Sequence, residues 1–235
     1  PVTPTRVRSI MPSFASPSTT ARMSFRSPPP QSLLFASSNA RPYPVEPRYV
    51  DRQSDLRVED AAVSVVRRTL SADEGDILVF LPGAGEIRRA ADLLAAGDLP
   101  PRTHIRPLHG TLSPAEQDDA ILPSSPGERK VVLATSIAET SLTIEGVRVV
   151  IDGGLSRVPR FSPRTGMTSL ETVRVSRASA DQRRGRAGRV APGVCYRLWG
   201  EHEQHHLVAH SSPEILEADL APLALELAAF GVENP

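Results

Sequence analysis

Between residues 182 and 189 the chain reads Gln-Arg-Arg-Gly-Arg-Ala-Gly-Arg. A helix turns about 100° per residue, so Gln182, Arg186 and Arg189 fall along one narrow face. A guanidinium is a planar fork that grips phosphate oxygens through paired hydrogen bonds, which lysine cannot match. Two of them beside an amide suit a chain of phosphates. Gly185 and Gly188 occupy a neighbouring face, where a missing side chain lets another backbone come close. Two glycines in so short a helix cost about 2 kcal/mol relative to alanine, and something must offset that. A solvated arginine-rich helix, with Gln182 closing a capping box with Ser179, accounts for the glutamine but not for the glycines.

A second cluster precedes it. Residues 134–146 read Ala-Thr-Ser-Ile-Ala-Glu-Thr-Ser-Leu-Thr-Ile-Glu-Gly, a hydroxyl-rich turn leaving an apolar run. Open α/β sheets bind ligands at the carboxyl ends of their strands. Short hydroxyls and free backbone N–H groups there can hold a sugar-phosphate backbone without reading bases. A loop whose hydroxyls merely cap local turns is the plainer alternative. Leu78-Val-Phe-Leu-Pro-Gly83 and Leu108-His-Gly-Thr-Leu-Ser113 each end an apolar run in a turn of the same kind.

The elements that must position these residues are legible in outline. Apolar periodicity predicts helices at 58–70, 86–95 and 178–187, and a final amphipathic helix at about 213–230. Ser113-Pro-Ala-Glu116 combines a capping box with proline at the first helical position, a helix start. Compact apolar runs predict strands at 77–81, 104–108, 130–135, 147–151 and 194–198. Strands alternating with helices argue for a doubly wound, mainly parallel α/β sheet with helices on both faces. Residues 155–175 break that rhythm. Two extended arms flank Ser162-Pro-Arg-Thr-Gly166, which predicts a β-hairpin carrying Arg157, Arg160, Arg164 and Arg174. Residues 1–44 are rich in proline, serine and arginine and read as largely disordered, with a short strand at 32–37 as the one exception.

Composition narrows the classes. The chain has 235 residues, is 40% apolar and carries no formal net charge, so no global field draws it to nucleic acid. Every basic residue except Lys130 is arginine, a bias that a GC-rich genome would also produce. Cys195 is the single cysteine, which excludes an internal disulfide and fits a reducing cytoplasm. No apolar run is long enough to span a membrane, and the first residues lack a signal core. The six histidines have neither cysteine neighbours nor a fixed ligand spacing, so no metal site is expected.

The 182–189 segment resembles motif VI of superfamily 2 DEAH-box ATP-dependent helicases, and residues 134–146 resemble their motif V. Residues 78–83 are similar to motif IV and 108–113 to the segment following it. The resemblance spans about residues 41–231. The hairpin residues 157–168, with 193–199 and 214–227, tilt it to the HrpB type. It implies a second RecA-like domain at 45–200, then the start of a truncated winged-helix-like region at 201–235. By resemblance Arg186 and Arg189 act as arginine fingers on ATP, and Gln182 helps position the attacking water. Ser141, Thr143 and Glu145 lie near the nucleotide. Gly83, Gly110, Thr111, Thr135, Ser136, Arg160 and Arg164 face RNA or another single strand. The family often has asparagine at Ser136 and aspartate at Glu145, which weakens those two assignments.

The chain contains no Gly-x-x-x-x-Gly-Lys-Ser/Thr loop and no Asp-Glu-Ala-His. ATP and Mg²⁺ are therefore expected to be held mainly by a separate first RecA-like domain, and this chain alone is expected to be inactive as an ATPase. The expected setting is bacterial cytoplasm, without membrane. The rival expectations are a non-enzymatic module that binds nucleic acid or a partner, and a gene remnant.

Overall fold

The computed structural model describes residues 43–51, 55–139 and 142–232. The strand expected at 32–37 lies outside them. Six strands form one parallel sheet: β1 (Val45–Tyr49), β2 (Asp76–Phe80), β3 (Thr103–Leu108), β4 (Arg129–Ala134), β5 (Val147–Asp152) and a later β8 (Gly193–Arg197). Their order across the sheet is β1-β8-β5-β2-β4-β3. The hairpin strands β6 (Leu155–Ser162) and β7 (Met167–Arg174) pair antiparallel as a separate two-stranded sheet. This is a RecA-like architecture.

The central strands are apolar throughout because both faces are covered. Successive side chains point to opposite sides, and the register aligns Ile77 with Val131 and Val149, and Leu78 with Val132 and Val150. One face, with Ile77, Val79, Val131, Leu133 and Ile151, packs on α1 (Val58–Ala72) and α2 (Ala84–Ala95). The other, with Leu78, Phe80, Val132, Ala134, Val150 and Cys195, receives Ala120 of α3 (Pro114–Ile121), Ala138 and Ile144 of the loop after β4, and Ala187. Ser113 caps α3 in a full capping box with Glu116, with Pro114 at the first turn, as expected.

Three elements depart from the sequence expectation. β1 was not anticipated, since Val-Glu-Pro-Arg-Tyr is mostly exposed. It is an edge strand, as is β3 with Pro107, and the edge is where a sheet tolerates proline. The helix expected at 178–187 is α4 (Arg177–Gly185), which tightens into a 3₁₀ turn at Arg186–Gly188. The long terminal helix is broken into a 3₁₀ turn at Glu214–Leu216 and α6 (Ala221–Ala229). Pro222 has no N–H to bond back to Ala218, so the helix cannot run through it. Asp219 Oδ1 instead accepts from Ala221 N at 3.0 Å.

The segment after α5 (Glu201–Gln204) supports α4. Leu207 joins Val175, Ala180 and Trp199 in a small core. The carbonyls of Val208 and Ala209 accept from the N–H groups of Arg177 and Ala178 at 2.9 and 3.1 Å. These are first-turn donors with no partner inside the helix. Ser176 Oγ takes a third, from Ser179 N at 3.2 Å.

The two glycines of the 182–189 segment have different reasons. A Cβ on Gly188 would lie 2.5 Å from the Tyr43 carbonyl oxygen, so β1 is seated against it. A Cβ on Gly185 would meet nothing within 4 Å among the described residues. Gly188→Ala should therefore destabilise the chain by about 1–3 kcal/mol through overpacking. Gly185→Ala should leave stability level or raise it by up to about 1 kcal/mol. Thermal melts of the two variants check this; equal losses would contradict it.

Candidate functional site

The turns singled out in the sequence leave the carboxyl ends of three adjacent strands. Gly83 follows β2, Thr135 and Ser136 follow β4, and Gly110 and Thr111 follow β3. They are tied together at the backbone. Leu81 N donates to Ala134 O at 2.8 Å, and Thr135 N to Leu108 O at 3.2 Å. Gly110, Thr111 and Ser136 are exposed and Thr135 is half-buried, whereas Gly83 is buried.

Arg157 accounts for the burial of Gly83. It reaches from β6 so that a Cβ on Gly83 would fall 2.7 Å from its Nη1. Its Nη2 pairs with Glu86 Oε1 at 3.2 Å. The Arg157 guanidinium thus lies over Gly83 and the first turn of α2, at this edge of the sheet. Arg160 is otherwise engaged. It pairs with Glu171 at 3.0 Å and Glu217 at 3.6 Å, and Phe161 N donates to Glu217 O at 3.1 Å. Arg157 and Arg160 are three residues apart on a strand and so lie on opposite faces, which allows only one of them to lean on the sheet edge. Arg164 is exposed in the hairpin turn and has no ion pair among the described residues.

The loop after β4 also receives the arginines. Arg186, nearly buried, donates through Nη1 to Leu142 O at 2.6 Å and through Nη2 to Glu139 O. Arg189, exposed, donates to Thr143 Oγ1. Burial, then the neighbouring Arg189 charge, bring the Arg186 guanidinium down to about 10, with Glu139 pulling the other way. It remains a cation at neutral pH. Gln182 is exposed one turn back on α4, and Glu145 is exposed in the turn before β5. Ser141 lies outside the described residues. Because α4 gives way to a 3₁₀ turn at Arg186, the three side chains do not share one α-helical face as the spacing predicts.

Sequence reasoning missed the centre of this arrangement. Arg183 is 1% exposed. Its Nη1 pairs with Asp152 Oδ1 at 2.8 Å, and its Nε and Nη2 meet Glu139 Oε1 at 2.7 and 2.6 Å. Nη1 also donates to Leu155 O at 3.2 Å, and the guanidinium lies 4.9 Å from the centre of the Phe80 ring. Burial opposes its charge, but Asp152 and Glu139 outweigh that and hold its pKa above the usual arginine value. A signal for it existed. Arg183 is at helical spacing from Ala180 and Ala187, two of the three alanines of the segment, and so belongs to the inward face.

The donors gathered here are guanidinium, amide and hydroxyl groups, which suit phosphate oxygens. Among the described residues no group of three or more His, Cys, Asp or Glu side chains is placed to hold a metal ion. No described helix is long and apolar enough to cross a membrane.

Comparison with known proteins fits this geometry. A family model described as "Helicase conserved C-terminal domain" matches residues 61–191. The ATP-dependent RNA helicase HrpB of Escherichia coli is 47% identical over 198 residues, covering 84% of this chain and 24% of that protein. The ATP-dependent RNA helicase HrpA homolog of Haemophilus influenzae is 39% identical, covering 83% of this chain and 15% of the relative. The pre-mRNA-splicing factor ATP-dependent RNA helicase prp22 of Schizosaccharomyces pombe is 40% identical over 83% of this chain and 17% of its own length. Two crystal structures of E. coli HrpB match with TM-scores of 0.76 and 0.78 at 47% identity, each over 83% of this chain. The chain spans about a quarter or less of the length of these relatives.

Proposed function

Since the chain belongs to the helicase conserved C-terminal domain family, on its DEAH-box, HrpB-like branch, we propose that it is the second motor half of an ATP-dependent RNA helicase. In this role Arg186 and Arg189 supply positive charge to the phosphates of an ATP held by a P-loop-bearing first domain. Gln182 orients the water that attacks. Phosphoryl transfer depends on charge placed where negative charge accumulates, and guanidinium groups delivered from a second domain make hydrolysis wait for domain closure. Thr143 and Glu145 border the nucleotide, as does Ser141 by resemblance. Mg²⁺ bound with the ATP would neutralise phosphate charge, and it falls to the first domain to hold it.

The nucleic-acid side of the reading rests on the row of turns at Gly83, Gly110, Thr111, Thr135 and Ser136. The observation that supports it best is that these turns line adjacent strand ends, while the loop starting at Thr135 also accepts Arg186 and Arg189 farther along. Arg157 adds charge at this edge, and Arg164 adds it at the exposed turn of the hairpin. Arg160 reaches RNA only if it leaves Glu171 and Glu217.

Contacts of this kind read the backbone and not the bases. Binding of the chain to a single-stranded RNA oligonucleotide should therefore fall steeply with salt and show little sequence preference. Fluorescence anisotropy over a salt series tests this, and Arg157→Ala should flatten the slope by about one phosphate contact. A salt-independent affinity, or strong preference for one sequence, would count against it.

A further inference from the structure

Glu139 gathers the parts of the site through a single residue. Its Oε1 accepts from Arg183 Nε at 2.7 Å and its Oε2 from Ser179 Oγ at 2.9 Å. Its backbone carbonyl accepts from Arg186 Nη2, and its N–H donates to Ser136 O at 2.9 Å. One residue thus touches the loop at Ser136, the start of α4 at Ser179, its buried middle at Arg183 and the turn that carries Arg186. Arg183 is fixed on its far side to the main sheet by Asp152 and Phe80, and to the first hairpin strand by Leu155. Charges paired in a site almost closed to water are held stiffly, because an unpaired ion there finds no solvent to replace its partner. The loop after β4 cannot shift without carrying the Glu139 carbonyl, and with it the acceptor of Arg186.

We propose that Glu139, through its bonds to Arg183 and Ser179, is a positioning residue that makes the loop after β4 and the arginine-bearing turn after α4 move as one body. A strand of nucleic acid engaging Thr135 and Ser136 then resets the guanidinium of Arg186. The proposal rests on the reading that this loop binds nucleic acid, and it adds the route by which such binding reaches the phosphate-facing arginine. Glu139 acts on neither ligand itself.

The test follows the arginine Nε–Hε signals of the full chain by NMR, with ¹⁵N-labelled arginine and a single-stranded RNA oligonucleotide. In the wild-type chain the Arg183 and Arg186 signals should shift together as RNA is added. Glu139→Gln keeps oxygen and nitrogen in the same shape but removes the charge. It should still bind the same RNA, with the Arg183 shift lost and the Arg186 shift, left only with the Glu139 backbone carbonyl, reduced. A shift of Arg186 while Arg183 stays still in the wild-type chain would overturn the proposal, and that arm needs no variant to fold. An equal Arg186 shift in Glu139→Gln would overturn it too, as would RNA binding that leaves Arg186 unmoved. If RNA does not bind the chain at all, the nucleic-acid reading fails first and the proposal falls with it.

Discussion

Arg183→Ala is expected to cost the chain about 3–5 kcal/mol, the loss seen when one partner of a buried ion pair is removed. Natural domains are stable by only about 5–15 kcal/mol, so the variant should be close to unfolding. The reason is local. Asp152 is fully buried, and its Oδ1 is shared between Arg183 and Gly154 N, the latter at 2.9 Å. Its Oδ2 has no hydrogen-bond partner among the described residues. Without Arg183 the carboxylate keeps one backbone donor and no countercharge, and Glu139 loses its bidentate partner. Replacing the pair by apolar groups, as in Arg183→Met with Asp152→Leu, should recover much of the loss, since burying the two ions was itself costly. Urea denaturation of the two variants measures this. If the single substitution costs under about 1 kcal/mol, as exposed ion pairs do, the buried-pair account is wrong.

The second large effect falls on catalysis. When the chain is combined with a P-loop-bearing first domain, Arg186→Ala should lower the rate of ATP hydrolysis by about 10³- to 10⁵-fold, the range an arginine finger contributes. Arg186→Lys should restore little, because a point charge cannot reproduce two directed N–H groups. Stability should move far less than for Arg183→Ala, as among the described residues Arg186 bonds only to carbonyls and has no ion pair. The two arginines, three positions apart, therefore separate by assay. Arg183→Ala should show in folding, and Arg186→Ala in turnover of the assembled site.

The fold was largely legible because the central strands are contiguous apolar runs closed by glycine, proline or a hydroxyl cluster. The hairpin was legible from Pro163 and Gly166 between extended arms, and the start of α3 from its capping box. β1 escaped because an edge strand covered on one side needs no apolar pattern, and its pairing with β8 is a backbone matter. The terminal helix was overdrawn because its apolar spacing outvoted Pro222. Within the site, the residue types of Gln182, Arg186 and Arg189 were readable, but their common face was not, since a 3₁₀ turn cannot be told from an α-helical one by spacing. Arg183 could have been assigned inward from Ala180 and Ala187. Its partners could not. Asp152 ends a strand and Glu139 sits in a loop, and only the sheet order brings them to one guanidinium. Arg160 and Arg157 show the same limit. Both decorate the hairpin in sequence, and the packing gives one to the sheet edge and the other to Glu171 and Glu217.

The central claim is that this chain completes an ATP site whose phosphate cradle lies on another domain. Single-turnover ATP hydrolysis measures it most directly, with the purified chain alone, a P-loop-bearing first domain alone, and the two mixed, each with and without RNA. The account predicts negligible hydrolysis by the chain alone and RNA-stimulated hydrolysis in the mixture that exceeds either part. Rapid hydrolysis by the chain alone would contradict it. A mixture of two folded parts no faster than the first domain by itself would contradict it equally.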